Sequence, residues 1–124
     1  MAQAATLLCI DDEVLGLEIR RVVLEREGYV VLTANDGAAG LALFGQNQVD
    51  AVILDYAMPD MDGAQVAQAL RRIRPGIPIL LLSAYLSLPP MVTGMVDIVA
   101  NKGDGALSLL ACVRDLVALG TSRG

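Results

Sequence analysis

The sequence has no histidine and no tryptophan, and only two cysteines and one phenylalanine. Without histidine, Ser-His-Asp and Cys-His catalysis and most zinc sites are excluded. Aromatic residues make up 3% of the chain, which leaves little to stack against a flavin ring. Cys9 and Cys112 are far apart, and Cys9 lies within an apolar run, so a disulfide framework is not indicated.

Positive charge and long apolar runs are also scarce. The chain has 9 Lys and Arg against 14 Asp and Glu, a formal net charge of −5, with no basic run. Because nucleic-acid binding depends mainly on phosphate neutralisation, we expect no direct contact of this domain with nucleic acid. The apolar runs are shorter than the ~18 residues of a membrane span, and residues 1–5 lack the basic region of a signal peptide. We therefore expect a soluble, cytoplasmic protein without membrane contact.

Length and hydrophobicity predict one folded domain. The chain has 124 residues, of which 55% are hydrophobic and 19% charged. Disordered chains combine low hydrophobicity with high charge, so disorder is excluded. We expect a single domain over residues 1–124, with its core in about residues 6–119.

Short apolar runs alternate with longer segments of helical spacing. Five runs are typical of strands buried on both faces, as in a parallel sheet: residues 7–10, 29–32, 51–54, 79–82 and 98–100. Three of the helices are predicted over about residues 38–44, 64–74 and 106–119. This alternation predicts an α/β fold of three layers, α/β/α, with a five-stranded parallel sheet.

The remaining two helical segments differ from each other. The first has a predicted apolar face formed by Leu15, Ile19, Val22 and Val23, and Arg20 points elsewhere. The fourth contains two successive prolines and a glycine, so its helix should be short or irregular, with only one to two turns after the prolines. On the third helix, Arg71, Arg72 and Arg74 form a basic cluster, which we expect to be a solvated face, with partner contact as the alternative.

Acidic and polar residues follow four of the predicted strands. They are Asp11, Asp12 and Glu13 after the first strand, Asp55 at the third, Ser83 after the fourth and Lys102 after the fifth. In an open α/β sheet, ligands bind beyond the carboxyl ends of the strands. We therefore expect these side chains to converge on one edge of the sheet.

The residue types at this edge indicate a divalent cation beside a phosphoryl group. Three neighbouring carboxylates do not ionise together cheaply unless a cation joins them, and Mg2+ prefers such oxygen ligands. Lys102 would oppose a metal alone, but it fits an anion beside the metal, to which Ser83 could donate a hydrogen bond. A carboxylate can itself be the nucleophile and form an aspartyl phosphate.

A family pattern runs through these residues. Its parts are Cys-Ile-Asp-Asp-Glu at 9–13, Ile-Leu-Asp-Tyr-Ala-Met-Pro-Asp-Met-Asp-Gly at 53–63, Leu-Ser-Ala at 82–84, and Lys102. The sequence resembles the receiver domain of two-component response regulators over about residues 6–119. The resemblance implies a flavodoxin-like sheet with strand order 2-1-3-4-5 and a function in phosphorelay signal transduction.

The resemblance also implies a role for each site residue. Asp55 would take a phosphoryl group from a histidine kinase or phosphotransfer protein, and Ser83 and Lys102 would bind its oxygens. The ligands of Mg2+, with Mn2+ as an alternative, would be Asp11, Asp12, Asp55 and the backbone carbonyl of Ala57. Phosphorylation would switch the conformation and control a downstream protein that the sequence does not identify. The domain would not be an enzyme beyond its own phosphoryl transfer and slow autodephosphorylation, and a homodimer is left open.

The sequence departs from the family pattern at positions that affect the conformational switch and the loss of the phosphoryl group. The family usually has an aromatic residue where this chain has Val99, three positions before Lys102. Tyr85, close to Ser83 in the sequence, could substitute for the missing aromatic switch residue, although a packing role is the more ordinary one. Ala57 and Tyr85 occupy positions that tune autodephosphorylation, and both are poor at orienting water, so we expect slow loss of the phosphoryl group.

Two further departures surround the fourth helix and the site lysine. The family lysine usually precedes a proline through a cis peptide, but here Gly103 follows Lys102. A cis bond before another residue costs about 3 kcal/mol, so we expect either a trans bond with a rearranged loop or a strained bond. Ser83 and Lys102 are 19 positions apart, fewer than usual, which again predicts a truncated fourth helix.

Three other functions compete with this interpretation. The altered fourth helix, Val99 and Gly103 favour a receiver-fold interaction module that works without phosphorylation. A phosphatase with an aspartyl nucleophile would need a second aspartate two positions after Asp55, where the chain has Ala57. A flavodoxin would need a hydroxyl-rich phosphate loop and aromatic residues, which the sequence lacks.

Overall fold

Strands and helices alternate along the chain, as the sequence predicts. The computed structural model describes residues 4–84 and 87–123. The strands are β1 (Thr6–Ile10), β2 (Val30–Ala34), β3 (Ala51–Asp55), β4 (Ile79–Ser83) and β5 (Ile98–Asn101). The α-helices are α1 (Val14–Arg26), α2 (Gly37–Gln46), α3 (Gly63–Ile73), α4 (Pro90–Thr93) and α5 (Ala106–Ser122). A 3₁₀ turn covers Lys102–Asp104, and α4 has only four residues, which confirms the short fourth helix.

All neighbouring strands are parallel, in the order β2-β1-β3-β4-β5. This confirms the predicted sheet and its strand order. At the carboxyl edge the aligned pairs are Ile10 with Leu54, Asp55 with Leu82, and Ser83 with Asn101. This register brings the residues that end or follow β1, β3, β4 and β5 to one edge of the sheet.

Two hydrophobic clusters cover the two faces of the sheet. One includes residues of α2, α3 and α4, and the other includes residues of α1 and α5. The inner strands β3 and β4 are buried throughout, whereas the edge strands β2 and β5 are partly exposed, so the expected burial on both faces fails at the edges. None of the described helices is long and apolar enough to cross a membrane.

The cysteines are free, as expected. Cys9 lies in the core, and burial raises the pKa of its thiol to about 12. Because the thiolate is the reactive form, this residue behaves as a small hydrophobic side chain.

The predicted apolar face of α1 is wrong. Leu15 and Ile19 are 76% and 55% exposed, while Leu17 and Leu24 are buried against the sheet. The buried stripe passes through Arg20, because the buried carboxylate of Asp11 holds its guanidinium. A period derived from apolar residues alone assigns such an arginine to the solvent face.

In the basic cluster of α3, Arg72 and Arg74 are exposed, as the solvated-face prediction requires, but Arg71 is half-buried, and Arg71 and Arg74 also bind neighbouring loops. Arg71 donates to three backbone carbonyls, those of Pro75, Ile77 and Met95. Arg74 donates to the carbonyl of Val49 and lies over the ring of Phe44. Arg72 is exposed and has no ion pair or hydrogen bond with the described residues. Loops that the fold brings to α3 therefore recruit the other two side chains.

The carboxylate of Asp97 connects four parts of the fold at the amino ends of the strands. This end of the sheet is opposite the carboxyl end, where the acidic residues lie. The Asp97 carboxylate accepts hydrogen bonds from Arg71 Nη2 and the Ile79 N–H, each at 2.9 Å, and also from Arg123. Its own N–H donates to the Ile79 carbonyl at 2.9 Å. Burial acts to raise the pKa of Asp97, but the bonds from Arg123, Ile79 and Arg71 outweigh it and lower the pKa to about 2. The carboxylate thus ties α3, β4, the segment before β5 and the residue after α5 together.

Gly63 sets the approach of α3 to the end of β3. Its N–H donates to the Tyr56 carbonyl at 2.8 Å, and a capping box between Asp62 and Gln65 begins the helix. A Cβ atom on Gly63 would lie 2.7 Å from the Asp55 carbonyl oxygen and 2.8 Å from the Tyr56 Cα. Both neighbours are backbone atoms, so only glycine fits without a shift beside the acidic edge.

Asp97→Asn should lower the free energy of unfolding at pH 7 by about 2 kcal/mol, because it removes the charge from three hydrogen bonds. The depressed pKa gives stability that is present above the unfolded value, near 4, and is lost as pH falls toward 2. Urea unfolding at pH 7 and pH 3 should therefore show a smaller difference between the two proteins at pH 3. The exposed Asp104→Asn is the control, and an equal difference at both pH values would contradict the assignment.

Gly63→Ala should destabilise the protein by about 1–3 kcal/mol, because the added methyl group meets backbone atoms. Gly45→Ala on α2 is the matched control, since a Cβ there meets nothing within 4 Å and alanine should stabilise that helix by up to about 1 kcal/mol. Urea unfolding measures both variants. Equal effects of the two substitutions would refute the close approach at α3.

Candidate functional site

Three carboxylates meet at the carboxyl edge of the sheet. Asp11 and Asp12 follow β1, and Asp55 ends β3. Each offers one oxygen, and these oxygens lie within 4.8 Å of one another. Asp11 and Asp55 are buried and Asp12 is exposed. The structure therefore brings the predicted acidic residues together, with two of them desolvated.

Lys102 lies among these carboxylates. Its Nζ is 2.9 Å from Asp55 Oδ1, 3.0 Å from Glu13 Oε1 and 3.3 Å from Asp11 Oδ2. Burial acts to lower the pKa of Lys102, but the hydrogen bonds to Asp55 and Glu13 and the nearby charges outweigh it and raise the pKa above its usual value. Lys102 is thus a permanent cation at the site.

Asp55 is short of compensating charge in spite of this lysine. Burial raises its pKa to about 6, the charge on Asp11 adds to the rise, and Lys102 opposes it. Its Oδ2 atom is buried and accepts no hydrogen bond within the described part of the chain. A buried carboxylate oxygen without a partner, beside two further carboxylates, fits a hard divalent cation such as Mg2+.

Both oxygens of Asp11 are already engaged. Oδ1 accepts a hydrogen bond from the Glu13 N–H at 2.9 Å. Oδ2 is shared by the guanidinium of Arg20 and by Lys102. Asp11 therefore has two cationic partners.

The remaining predicted site residues take less central positions. Ser83 is buried at the end of β4, on the same edge as Asp55. Ala57 is exposed, two residues after Asp55, in the loop that leads to α3. Val99 is 45% exposed on the edge strand β5. Tyr85 lies outside the described residues, so its part in a switch stays a prediction.

The segment after Lys102 forms a 3₁₀ turn. No cis peptide bond occurs in residues 4–84 or 87–123. The Asn101 side chain accepts a hydrogen bond from the Gly103 N–H at 2.8 Å and so caps the 3₁₀ turn. Gly105 follows with φ +87°, a conformation that favours glycine, and leads into α5. Of the two predicted alternatives, the bond between Lys102 and Gly103 is trans, and the loop that follows is this turn.

The sequence pointed to neither Arg20 nor Asn101, and it placed Glu13 at this edge without a role for its carboxylate. Arg20 pairs with Asp11, Glu13 pairs with Lys102, and Asn101 caps the turn after Lys102. An asparagine two residues before a glycine is a usual signal for a side-chain cap. Arg20 carries no such local signal, because its partner Asp11 lies before the helix and a Cβ atom on Gly16, one turn earlier, would only make ordinary contact with the guanidinium at 3.6 Å. Glu13 had only its place beside the acidic pair.

Comparison with known proteins identifies the family. The response regulator receiver domain family matches residues 7–102. The transcriptional regulatory protein GlrR of Escherichia coli is 37% identical over 93% of this chain, which spans only 24% of that protein. The response regulator MprA of Mycobacterium leprae is 35% identical over 90% of the chain, or 50% of its own length. The chain thus spans half or less of these relatives.

A solved structure agrees. The response regulator TrrA of Thermotoga maritima, in complex with Mg2+-BeF, has a TM-score of 0.85 and 31% identity over 90% of this chain and 98% of its own. Together with the family match over most of its length, this shows that the chain belongs to the receiver domains of two-component response regulators.

Proposed function

We propose that this receiver domain is a phosphoacceptor, in which Asp55 takes a phosphoryl group from the phosphohistidine of a histidine kinase or phosphotransfer protein. The environment of the Asp55 carboxylate is the observation that supports this proposal. One oxygen lies 2.9 Å from Lys102 Nζ, and the other is buried without a hydrogen bond from the described residues. Asp55 is thus held in place beside a fixed positive charge, where an incoming phosphoryl group would be stabilised.

The transfer exchanges one bond for another. A carboxylate oxygen of Asp55 forms a bond to phosphorus, the phosphorus–nitrogen bond breaks, and the histidine keeps that electron pair as it leaves. The hydrogen bond from Lys102 favours the ionised form of Asp55, which is the nucleophile. Lys102 and Ser83 would bind the phosphoryl oxygens, and the permanent charge of Lys102 offsets theirs.

The acidic residues would hold the metal. Asp11, Asp12, Asp55 and the backbone carbonyl of Ala57 are the proposed ligands of Mg2+, with Mn2+ as an alternative. When bound, the ion supplies positive charge that stabilises the transferred phosphoryl group. The crowding of three carboxylates, together with the unpartnered Asp55 oxygen, supports this assignment.

The domain would work as a switch rather than as an enzyme for a separate substrate. The phosphoryl group stays on Asp55 and shifts the conformation toward a state that a downstream protein binds. We place this in the cytoplasm, where kinases of two-component systems act. The net charge of −5 favours a protein partner over direct nucleic-acid contact by this domain. Homodimerisation stays a prediction.

Incubation with phosphoramidate and Mg2+ should give one phosphoryl adduct by intact mass, and Asp55→Asn should give none, because the amide is a poor nucleophile. Asp60→Asn is the matched control, since it makes the same change in the loop after Asp55 and should keep the adduct. An adduct on Asp55→Asn would show that another residue is the acceptor. If the wild type formed no adduct and also failed to bind BeF3− with Mg2+, an interaction module without phosphorylation would be the better account.

Loss of the phosphoryl group should be slow, because the methyl group of Ala57 cannot orient an attacking water. Ala57→Asn places a hydrogen-bonding side chain two residues from Asp55 and should speed the loss by about tenfold, less than the roughly 10²–10⁴-fold of a general acid or base, because an amide orients water without taking its proton. The decay of the adduct by intact mass in the presence of Mg2+ gives the rate. Ala57→Val controls for bulk, and a rate equal to that of Ala57→Asn would refute the explanation.

A further inference from the structure

The ion pair between Arg20 and Asp11 is not an ordinary surface pair. The Arg20 side chain is 16% exposed and that of Asp11 is 2% exposed. Exposed pairs contribute little, whereas a largely buried carboxylate that loses its partner is left with a large desolvation cost. Arg20 therefore contributes to holding Asp11 as a buried anion.

The number of charges at the site shows why a second cation matters. Four carboxylates meet two cations there: Asp11, Asp12, Glu13 and Asp55 against Lys102 and Arg20. The affinity of an oxygen-ligand site for a divalent ion depends strongly on how much negative charge the ligands supply. Each internal cation therefore lowers the attraction that the site exerts on Mg2+.

Arg20 opposes the metal at one ligand in particular. Asp11 Oδ1 accepts the Glu13 N–H, and Asp11 Oδ2 is shared by Arg20 and Lys102. An ion that approaches Asp11 must displace one of these donors or share an oxygen with it. Lys102 is also tied to Asp55 and Glu13, whereas the ion pair described for Arg20 is with Asp11 alone.

Open space lies beside the Arg20 side chain. Gly16 lies below the guanidinium, where a Cβ atom would be 3.6 Å from Arg20 Nη1. A cavity of about 190 Å³ adjoins this glycine between α1 and the start of α5. Its walls include Ile19, Val23 and Leu109. The Arg20 side chain therefore borders a cavity that provides space next to its present position.

We propose that Arg20 is an internal counter-ion of the acidic site, which stabilises Asp11 in the metal-free protein and competes with Mg2+ for its carboxylate. The inference rests on the proposed function, because it needs Asp11 to be a metal ligand. Mg2+ binding then includes release of Arg20 from Asp11, so the arginine sets how much Mg2+ is required.

Calorimetric titration of the metal-free protein with Mg2+ tests the proposal. Arg20→Gln should bind Mg2+ about tenfold more tightly than the wild type, a difference of about 1.4 kcal/mol. In EDTA its melting temperature should be lower than that of the wild type, and saturating Mg2+ should raise it by more. Arg21→Gln is the matched control, since it removes the same charge from the next position of α1, where the partners are Glu18 and Glu25. Its affinity for Mg2+ should change by less than about twofold.

The outcomes separate this inference from the proposed function. Equal affinities of wild type and Arg20→Gln, or weaker binding by the variant, would overturn the competition but leave the metal site in place. Absence of Mg2+ binding in both would refute the metal site and the inference with it. If Arg20→Gln does not fold, hydrogen exchange of the Arg20 guanidinium in the wild type decides. Exchange should become faster on saturation with Mg2+, and unchanged slow exchange would contradict release.

Discussion

The repulsion among carboxylates at one edge of the sheet is the constraint on which the site depends. Asp11 and Asp55 are buried there beside Asp12, so their charges are costly without nearby cations. The fold answers with Lys102 from the end of β5 and Arg20 from α1. The compensation is incomplete, because the pKa of Asp55 remains raised and one of its oxygens has no hydrogen bond within the described chain. That deficit is what suits the site to a divalent ion and a phosphoryl group.

The rest of the fold positions these groups. Parallel pairing aligns the ends of β1, β3, β4 and β5, and Gly63 lets α3 begin directly against the end of β3. Away from the acidic edge, Asp97 joins β4 to the segment before β5 and to two helices. The two ends of the sheet thus use carboxylates differently, with Asp97 half-buried and Asp55 buried. Asp97 is compensated by three hydrogen-bond donors, whereas Asp55 keeps a raised pKa and one oxygen without a hydrogen bond from the described residues.

The sequence predicted the sheet, its order and the convergence of the acidic residues, because these follow from the alternation of strands and helices and from what comes directly after each strand. The sequence did not predict contacts in which a long side chain binds a group that only folding brings close to it. Arg20 was assigned to solvent because helical periodicity considers only residues of the helix. Its partner Asp11 lies before the helix, in the β1–α1 loop. Arg71 was assigned to solvent because the carbonyls that it binds come from loops distant in the chain. For the bond between Lys102 and Gly103, the sequence left two alternatives open, a trans bond or a strained bond. Local propensity alone does not choose between them.

The account stands on the claim that the acidic edge holds Mg2+ and a phosphoryl group together, with Asp55 as the point of attachment. A crystal structure of the protein with Mg2+ and BeF3− tests it most directly. The account predicts beryllium bonded to an Asp55 oxygen, Lys102 in contact with fluoride, and the metal on Asp11 and Asp12. Beryllium fluoride bound at another residue, or a metal that avoids Asp11 and Asp12, would contradict it.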